Sequence, residues 1–304
     1  MYKRQTRYNT LGAPSPQEVV NVVAAVVEGM RGWLDPDHEL VGVGVAVPGL
    51  VRASDGLVID APHLGWRDER LSELLSDALG LPVWASNDAV AGARAESTFG
   101  AGRESKDLVY LYGGASGIGG GVLSDGELIE GAAGFAGQLG HVHVQSDGAL
   151  CDCGSRGCLE AEVTQRELLA AVGLPDDRSD ELEAVILQRL AEGPEEQLRM
   201  VLHRQVALLA TGLRSVINLL NPSLILLGGF LRALYTAAPD ELTSAVRGAA
   251  IRGPREYVTI APASMGADAL LVGAGELALR PLIADPAGWA RPGWAEKQPD
   301  ANES

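Results

Sequence analysis

Apolar residues recur at helical spacing near the start of the chain. Val19, Val20, Val23, Val26 and Val27 share one face between Pro16 and about Trp33, and they predict a helix there. The next run, LVGVGVAVPG, is continuously apolar and predicts a buried strand ending in a Pro-Gly turn. VRASDGLVID predicts a hairpin around Asp55-Gly56. A helix over Glu69 to Leu79, a strand over Leu81 to Ala85 and a helix from Asn87 to about Thr98 complete the first set. In the second set DLVYLYGG, GIGGGVLSDGELI and GHVHV read as strands, with helices from about Gln165. Glu195 to Leu220 reads as one long helix stopped by Asn221-Pro222. SLILLGG and Tyr257 to Ile260 are further strands, and Gly266 to Ala284 is a closing helix.

Helices alternating with strands predict an α/β fold, here two lobes with a cleft between them and a boundary near Lys106. Residues 1–106 form the small lobe, completed by the helix over 266–284, and residues 107–265 the large one. The tail 285–304, rich in Pro, Trp, Gly and charge, is expected to trail over the surface.

Charge narrows the function. A formal net charge of −16 over 304 residues, with no basic stretch, repels nucleic acid and anionic membrane. The longest apolar runs are strand-sized, far short of a membrane span. Five percent aromatic residues and 38 glycines suit an α/β protein whose backbone turns tightly around a ligand.

All three cysteines, Cys151, Cys153 and Cys158, fall within eight residues, just after His141 and His143. A disulfide framework does not fit. Three thiols cannot all pair, no apolar signal peptide opens the chain at MYKRQTRYNT, and Cys151 and Cys153 are too close for a relaxed bridge. A reduced, cytoplasmic protein is expected instead, where clustered thiols serve metal or catalysis. Thiolates at 151, 153 and 158 with the His141 imidazole make a Cys₃His set, a common structural zinc site. The alternative is a group of buried reduced cysteines that bind nothing. His143 is the competing imidazole, on the same face of the expected strand as His141.

The stretch GFAGQLGHVHVQSDGALCDCGSRGCLE resembles the signature of the ROK family, which groups repressors, open reading frames and sugar kinases. The resemblance runs from about Val41 to Pro286. It implies a two-lobed actin/hexokinase-like (ribonuclease H-like) fold, truncated at its N-terminus, and a homo-oligomer formed through the larger lobe. His141, Cys151, Cys153 and Cys158 match the family's zinc ligands. Asn87 and Asp88 match the pair that holds the sugar in its kinases, where the aspartate is also the catalytic base. Taken alone, these two read first as good helix-capping residues. Glu160 matches a sugar-hydroxyl acceptor, Pro48-Gly49 the turn beneath the sugar, and His141 a residue able to touch both zinc and sugar. His63 stands where relatives often carry asparagine, and it is either a ligand or a surface residue. Gln138 departs from the family's usual glutamate, replacing a charged acceptor by an amide.

Kinases of the family grip ATP with two glycine-rich turns. The first, Asp-x-Gly-Gly-Thr, does not occur before Val41, so the chain is expected to begin after it. The second corresponds to ASGIGGG, where Ser116, Gly117 and Gly119 could cradle phosphate or simply form a tight hairpin. Ala115 and Ser116 stand where kinases show Gly-Thr, and LILLGGF matches the adenosine-side motif, although its glycines also simply end a strand. The altered turn, Gln138 and the segment CLEAEVTQRELLAAVGL look more like regulators. The expectation is the sugar-sensing portion of a ROK transcriptional regulator, binding a monosaccharide or amino sugar. DNA would be held by a winged helix-turn-helix not present in this chain. The alternative is a truncated sugar kinase using ATP and magnesium with Asp88 as base.

Overall fold

A computed structural model describes residues 12–34, 38–193 and 195–288. The MYKRQTRYNT start and the tail beyond 288 lie outside the described residues, as do the expectations made for them.

Helix α1 (Pro16–Arg31) opens with a reciprocal cap. Ser15 Oγ accepts from the Glu18 amide while the Glu18 carboxylate accepts from the Ser15 amide, and Pro16 sets the first turn. Val20 and Val27 are buried on its inner face. Then come β1 (Val43–Val47), β2 (Leu50–Val51), β3 (Val58–Ala61), β4 (Trp66–Glu69), α2 (Leu71–Leu79), β5 (Val83–Asn87) and α3 (Asp88–Phe99). β1 pairs in parallel with β5, and β2, β3 and β4 form an antiparallel meander. Val20, Val47, Val58, Trp66, Leu71 and Leu75 belong to one core beneath these elements.

β4 corrects the helix expected from Glu69, which starts only at Leu71. Of WRDE only Trp66 is buried, so the alternation that announces a strand is missing. The Trp66 indole donates to the Pro14 carbonyl at 2.8 Å, fixing the strand against the start of α1.

The second half contains β6 (Leu108–Gly114), β7 (Gly117–Ser124), β8 (Glu127–Leu128), α4 (Leu159–Glu162), α5 (Gln165–Val172), α6 (Leu182–Glu192) and α7 (Glu196–Leu220). It continues with β9 (Leu224–Gly229), α8 (Phe230–Ala237), α9 (Pro239–Ala249), α10 (Arg252–Tyr257), β10 (Thr259–Pro262) and α11 (Asp268–Ala284). Five strands join in the order β10-β9-β6-β7-β8, with β6, β9 and β10 parallel. α7 buries Leu198, Leu202, Val206, Leu209, Leu213 and Ile217, spaced by three, four and seven, and ends where Asn221 turns left-handed at φ 45°. The strand expected at Tyr257 starts at Thr259, because Tyr257 closes α10.

GHVHV is not a strand. Leu139–His141 make a single 3-10 turn, and pairing is limited to one bridge between His143 and Cys158. The sequence alternates as a strand would, but the cysteine loop beside it pairs at one residue, and Gly140 packs against the Ile118 carbonyl of β7 without joining its ladder.

α11 returns the chain to its first half, lying on β1 and α3. Gly44 has no room for a Cβ against the Ala274 carbonyl, nor Gly273 against that of Ala91. Glu96, fully buried on α3, links the two connections between halves. One carboxylate oxygen accepts from the Ala101 amide at 2.9 Å and the Ser264 hydroxyl at 3.0 Å, and the other from the Met265 amide at 2.7 Å.

Candidate functional site

A cleft of about 640 Å³ opens between the two halves. Pro48, Gly49, His63, Asn87 and Asp88 line it from the first half. Ser116, Gly117, Gly119, Gln138, His141, Cys151, Cys153 and Glu160 line it from the second. Residues singled out from Pro48 to Glu160 therefore face one space, with Cys158 buried just behind.

Asn87 caps α3 and faces the cleft at once. Its Oδ1 accepts from the Val90 amide at 3.1 Å, while its Nδ2 donates to the Gly49 carbonyl at 2.9 Å. The capping role is realised, and the amide also clamps the Pro48-Gly49 turn to the end of β5. Asp88 follows at the first helical position, accepting from the Ala89 amide at 2.8 Å. Burial pushes its carboxyl up to about 6, against the opposing pull of backbone amides and the Asn87 side chain. Gly119 lets β7 approach this helix start, since a Cβ there would lie 2.6 Å from that of Ala89.

The β6–β7 hairpin turns through Ala115 and Ser116, with Gly114 opposite Gly117. Gly117 has φ 122°, and a side chain there would strike the Glu160 carboxylate. Glu160 reaches two ways. Its Oε2 accepts from the Ile118 amide at 3.4 Å, while Oε1 stands 3.1 Å from Cys151 Sγ and 3.2 Å from His141 Nδ1. Gln138 sits exposed on the rim, and His63 approaches Asp152 across the cleft at 3.8 Å.

The metal-binding atoms of His141, Cys151, Cys153 and Cys158 all lie within 4.8 Å of one another. Cys153 and Cys158 sulfurs are 3.7 Å apart, and Cys151 Sγ is 3.6 Å from His141 Nδ1. A tetrahedral ion with metal–sulfur bonds of about 2.3 Å requires sulfur–sulfur edges of about 3.8 Å, so the spacing fits. His143, the competing imidazole, falls outside this group. The three thiols are free, and the Ser155 amide pulls that of Cys153 down to about 7.

Glu162 was not foreseen from sequence. Nearly buried, it accepts from the Ala149 amide in the cysteine loop and from Arg204 of α7 at 3.0 Å, tying the loop to the longest helix. Its only signal was its place two residues after Glu160. Ionic character along the cleft is lopsided. Among the described residues, Asp60, Asp88, Asp152, Glu160 and Asp176 line it against a single guanidinium, that of Arg166.

Known proteins are similar to this chain in sequence and fold. A family model described as the ROK family matches residues 3–280. The xylose repressor of Caldicellulosiruptor bescii is 32% identical over 200 residues, covering 62% of this chain and 50% of the repressor, so the match spans half of that protein's length. The glucokinase of Streptomyces coelicolor is 31% identical over 284 residues, covering 88% of each. Among solved structures, a ROK family glucokinase from Streptomyces griseus in complex with glucose and AMPPNP superposes with a TM-score of 0.72. It is 28% identical and covers 88% of this chain and 89% of the other. The fold is the actin/hexokinase-like one.

Proposed function

Because the chain belongs to the ROK family, we propose that it is the sugar-sensing portion of a transcriptional regulator of that family, with a structural zinc ion beside the sugar. The observation that carries this reading is the composition of the cleft. Asn87, Asp88, Gln138, His141 and Glu160 supply paired acceptors and donors suited to adjacent hydroxyls. For a polyphosphate the described residues of the same cleft offer five carboxylates and one guanidinium.

Zinc on His141, Cys151, Cys153 and Cys158 would have no open position, and its part is to brace the loop that presents Glu160. His141 faces the thiols through Nδ1, which leaves Nε2 for the ligand. The net charge of −16 supports assigning DNA contact to a separate winged helix-turn-helix. Assembly into a homo-oligomer through the larger lobe and a reducing, cytoplasmic setting belong to the same reading.

One observation favours a second reading. Asp88, raised to about 6, is poised to take a proton from a hydroxyl near neutral pH, as the base of a sugar kinase with ATP and magnesium would be. The two readings separate experimentally. Calorimetry with D-xylose, D-glucose and N-acetylmannosamine should find one that binds, while a coupled assay with ATP should find no phosphorylation. Turnover of about 1–100 s⁻¹ would replace the regulator by the kinase.

A further inference from the structure

Parallel strands β6 and β9 end side by side at the cleft, Tyr112 opposite Gly228 and Gly113 opposite Gly229. Each strand then runs into a glycine turn. β6 turns through Gly114 and Gly117 into β7, and β9 turns through Gly229 into α8. Between the two turns lies an aromatic ring. Carbons of Tyr112 stand 3.1 Å from where a Cβ on Gly114 would be and 3.0 Å from one on Gly229, so the ring rests against both turns. Its cross-strand neighbours on the same face are Gly119 and Gly228, neither with a side chain to cover it. Tyr110 stacks behind it, ring centroids 6.3 Å apart at 19°, and holds the ring in place. Tyr112 lines the cleft together with Asp88.

The geometry points to Tyr112 as a specificity-determining residue. Its ring fills the gap between the two glycine turns, confining the cleft to a neutral sugar and shutting out phosphate groups. The inference deepens the sensing reading and rests on it. Glycine turns are where backbone amides can converge on an anion, and such an anion must come within about 3 Å of them. A ring packed against both turns occupies the space that approach needs. Burial, with the Asp88 charge adding to it, raises the Tyr112 phenol, so the group stays a neutral hydroxyl and adds no cation to draw phosphate in. Among the described residues Arg166 is the one guanidinium lining the cleft, and four carboxylates besides Asp88 face the same space.

The test is titration of the full chain with inorganic pyrophosphate and, separately, with magnesium–ADP, followed by calorimetry. Wild type and Tyr112→Phe, which keeps the ring, should show no binding at millimolar concentration. Tyr112→Ala should bind pyrophosphate at least tenfold more tightly. Tyr112→Val, a β-branched residue suited to a strand, carries the same expectation should the alanine variant fail to fold. Pyrophosphate binding by wild type as tight as by Tyr112→Val, or no gain in either truncated variant, overturns the assignment. A monosaccharide titration of wild type runs alongside. Failure to bind any sugar there strikes the sensing reading and leaves the pyrophosphate comparison to be judged by itself.

Discussion

Glu160 Oε1 stands 3.2 Å from His141 Nδ1, and the other oxygen of the same carboxylate holds the Ile118 amide of β7. One side chain thus joins a candidate metal ligand to the strand that forms the cleft wall. Glu160 is therefore the contact by which a change in the cysteine loop would be felt at β7.

Elemental analysis of purified protein should accordingly find one zinc per chain. Cys153→Ser should release it, speed amide exchange over residues 138–160, and weaken monosaccharide binding in the same sample. Full sugar affinity in a metal-free variant would separate the two sites.

Direct contacts should be worth more. Asp88 and Glu160 each accept hydrogen bonds as carboxylates, and losing a charged acceptor typically costs about 1.5–3 kcal/mol. Asp88→Ala and Glu160→Ala should therefore weaken monosaccharide binding roughly ten- to hundredfold in calorimetry. Gln138→Glu should change the ranking among sugars, since it places a charged acceptor on the rim.

Stability should depend on pH through Asp88. Its folded-state value of about 6 lies above the ordinary 3.8, so the folded chain binds this proton more tightly than the unfolded one. The carboxyl is therefore neutral and harmless below about pH 4. Its destabilising effect grows as pH rises through about 6 and is then complete. Asp88→Asn should gain on wild type over that window, by up to about 3 kcal/mol for a shift of this size. Urea unfolding of both proteins at pH 4 and pH 7 measures it; an equal difference at the two pH values would refute it.

Glu96→Gln should destabilise the protein by about 1.5–3 kcal/mol, because a neutral amide cannot replace both carboxylate oxygens as acceptors. The Ala101 and Met265 amides, which donate to it, should exchange faster than in wild type. Unchanged protection at both would show that other contacts hold the two connections together.

Much of this was legible in the sequence where local patterns decide. α1 and α7 follow from apolar spacing, α3 from Asn87 at its start, and the cysteine cluster from composition. β4 was hidden because one apolar residue in four leaves no period. GHVHV misled for the opposite reason: it carries the alternation of a strand, yet its pairing stops at the one bridge from His143 to Cys158. Glu96 and Glu162 were invisible as organising residues. A buried carboxylate is stable only beside donors from distant segments, and Met265 lies 169 positions from Glu96. Tyr112 was likewise read only as part of an apolar strand, since its meaning depends on Gly229, far along the chain.

The seating of α11 against Gly44 and Ala91 has a consequence for how the molecule is made. Backbone meets backbone there, so no generic apolar helix can stand in for residues 268–284. During synthesis β1 and α3 leave the ribosome more than 150 residues before the helix that covers them. At about 5–20 residues per second that is a delay of roughly ten to thirty seconds. For that interval the first half of a nascent chain carries an uncovered apolar face, and it is then that a chaperone has something to hold.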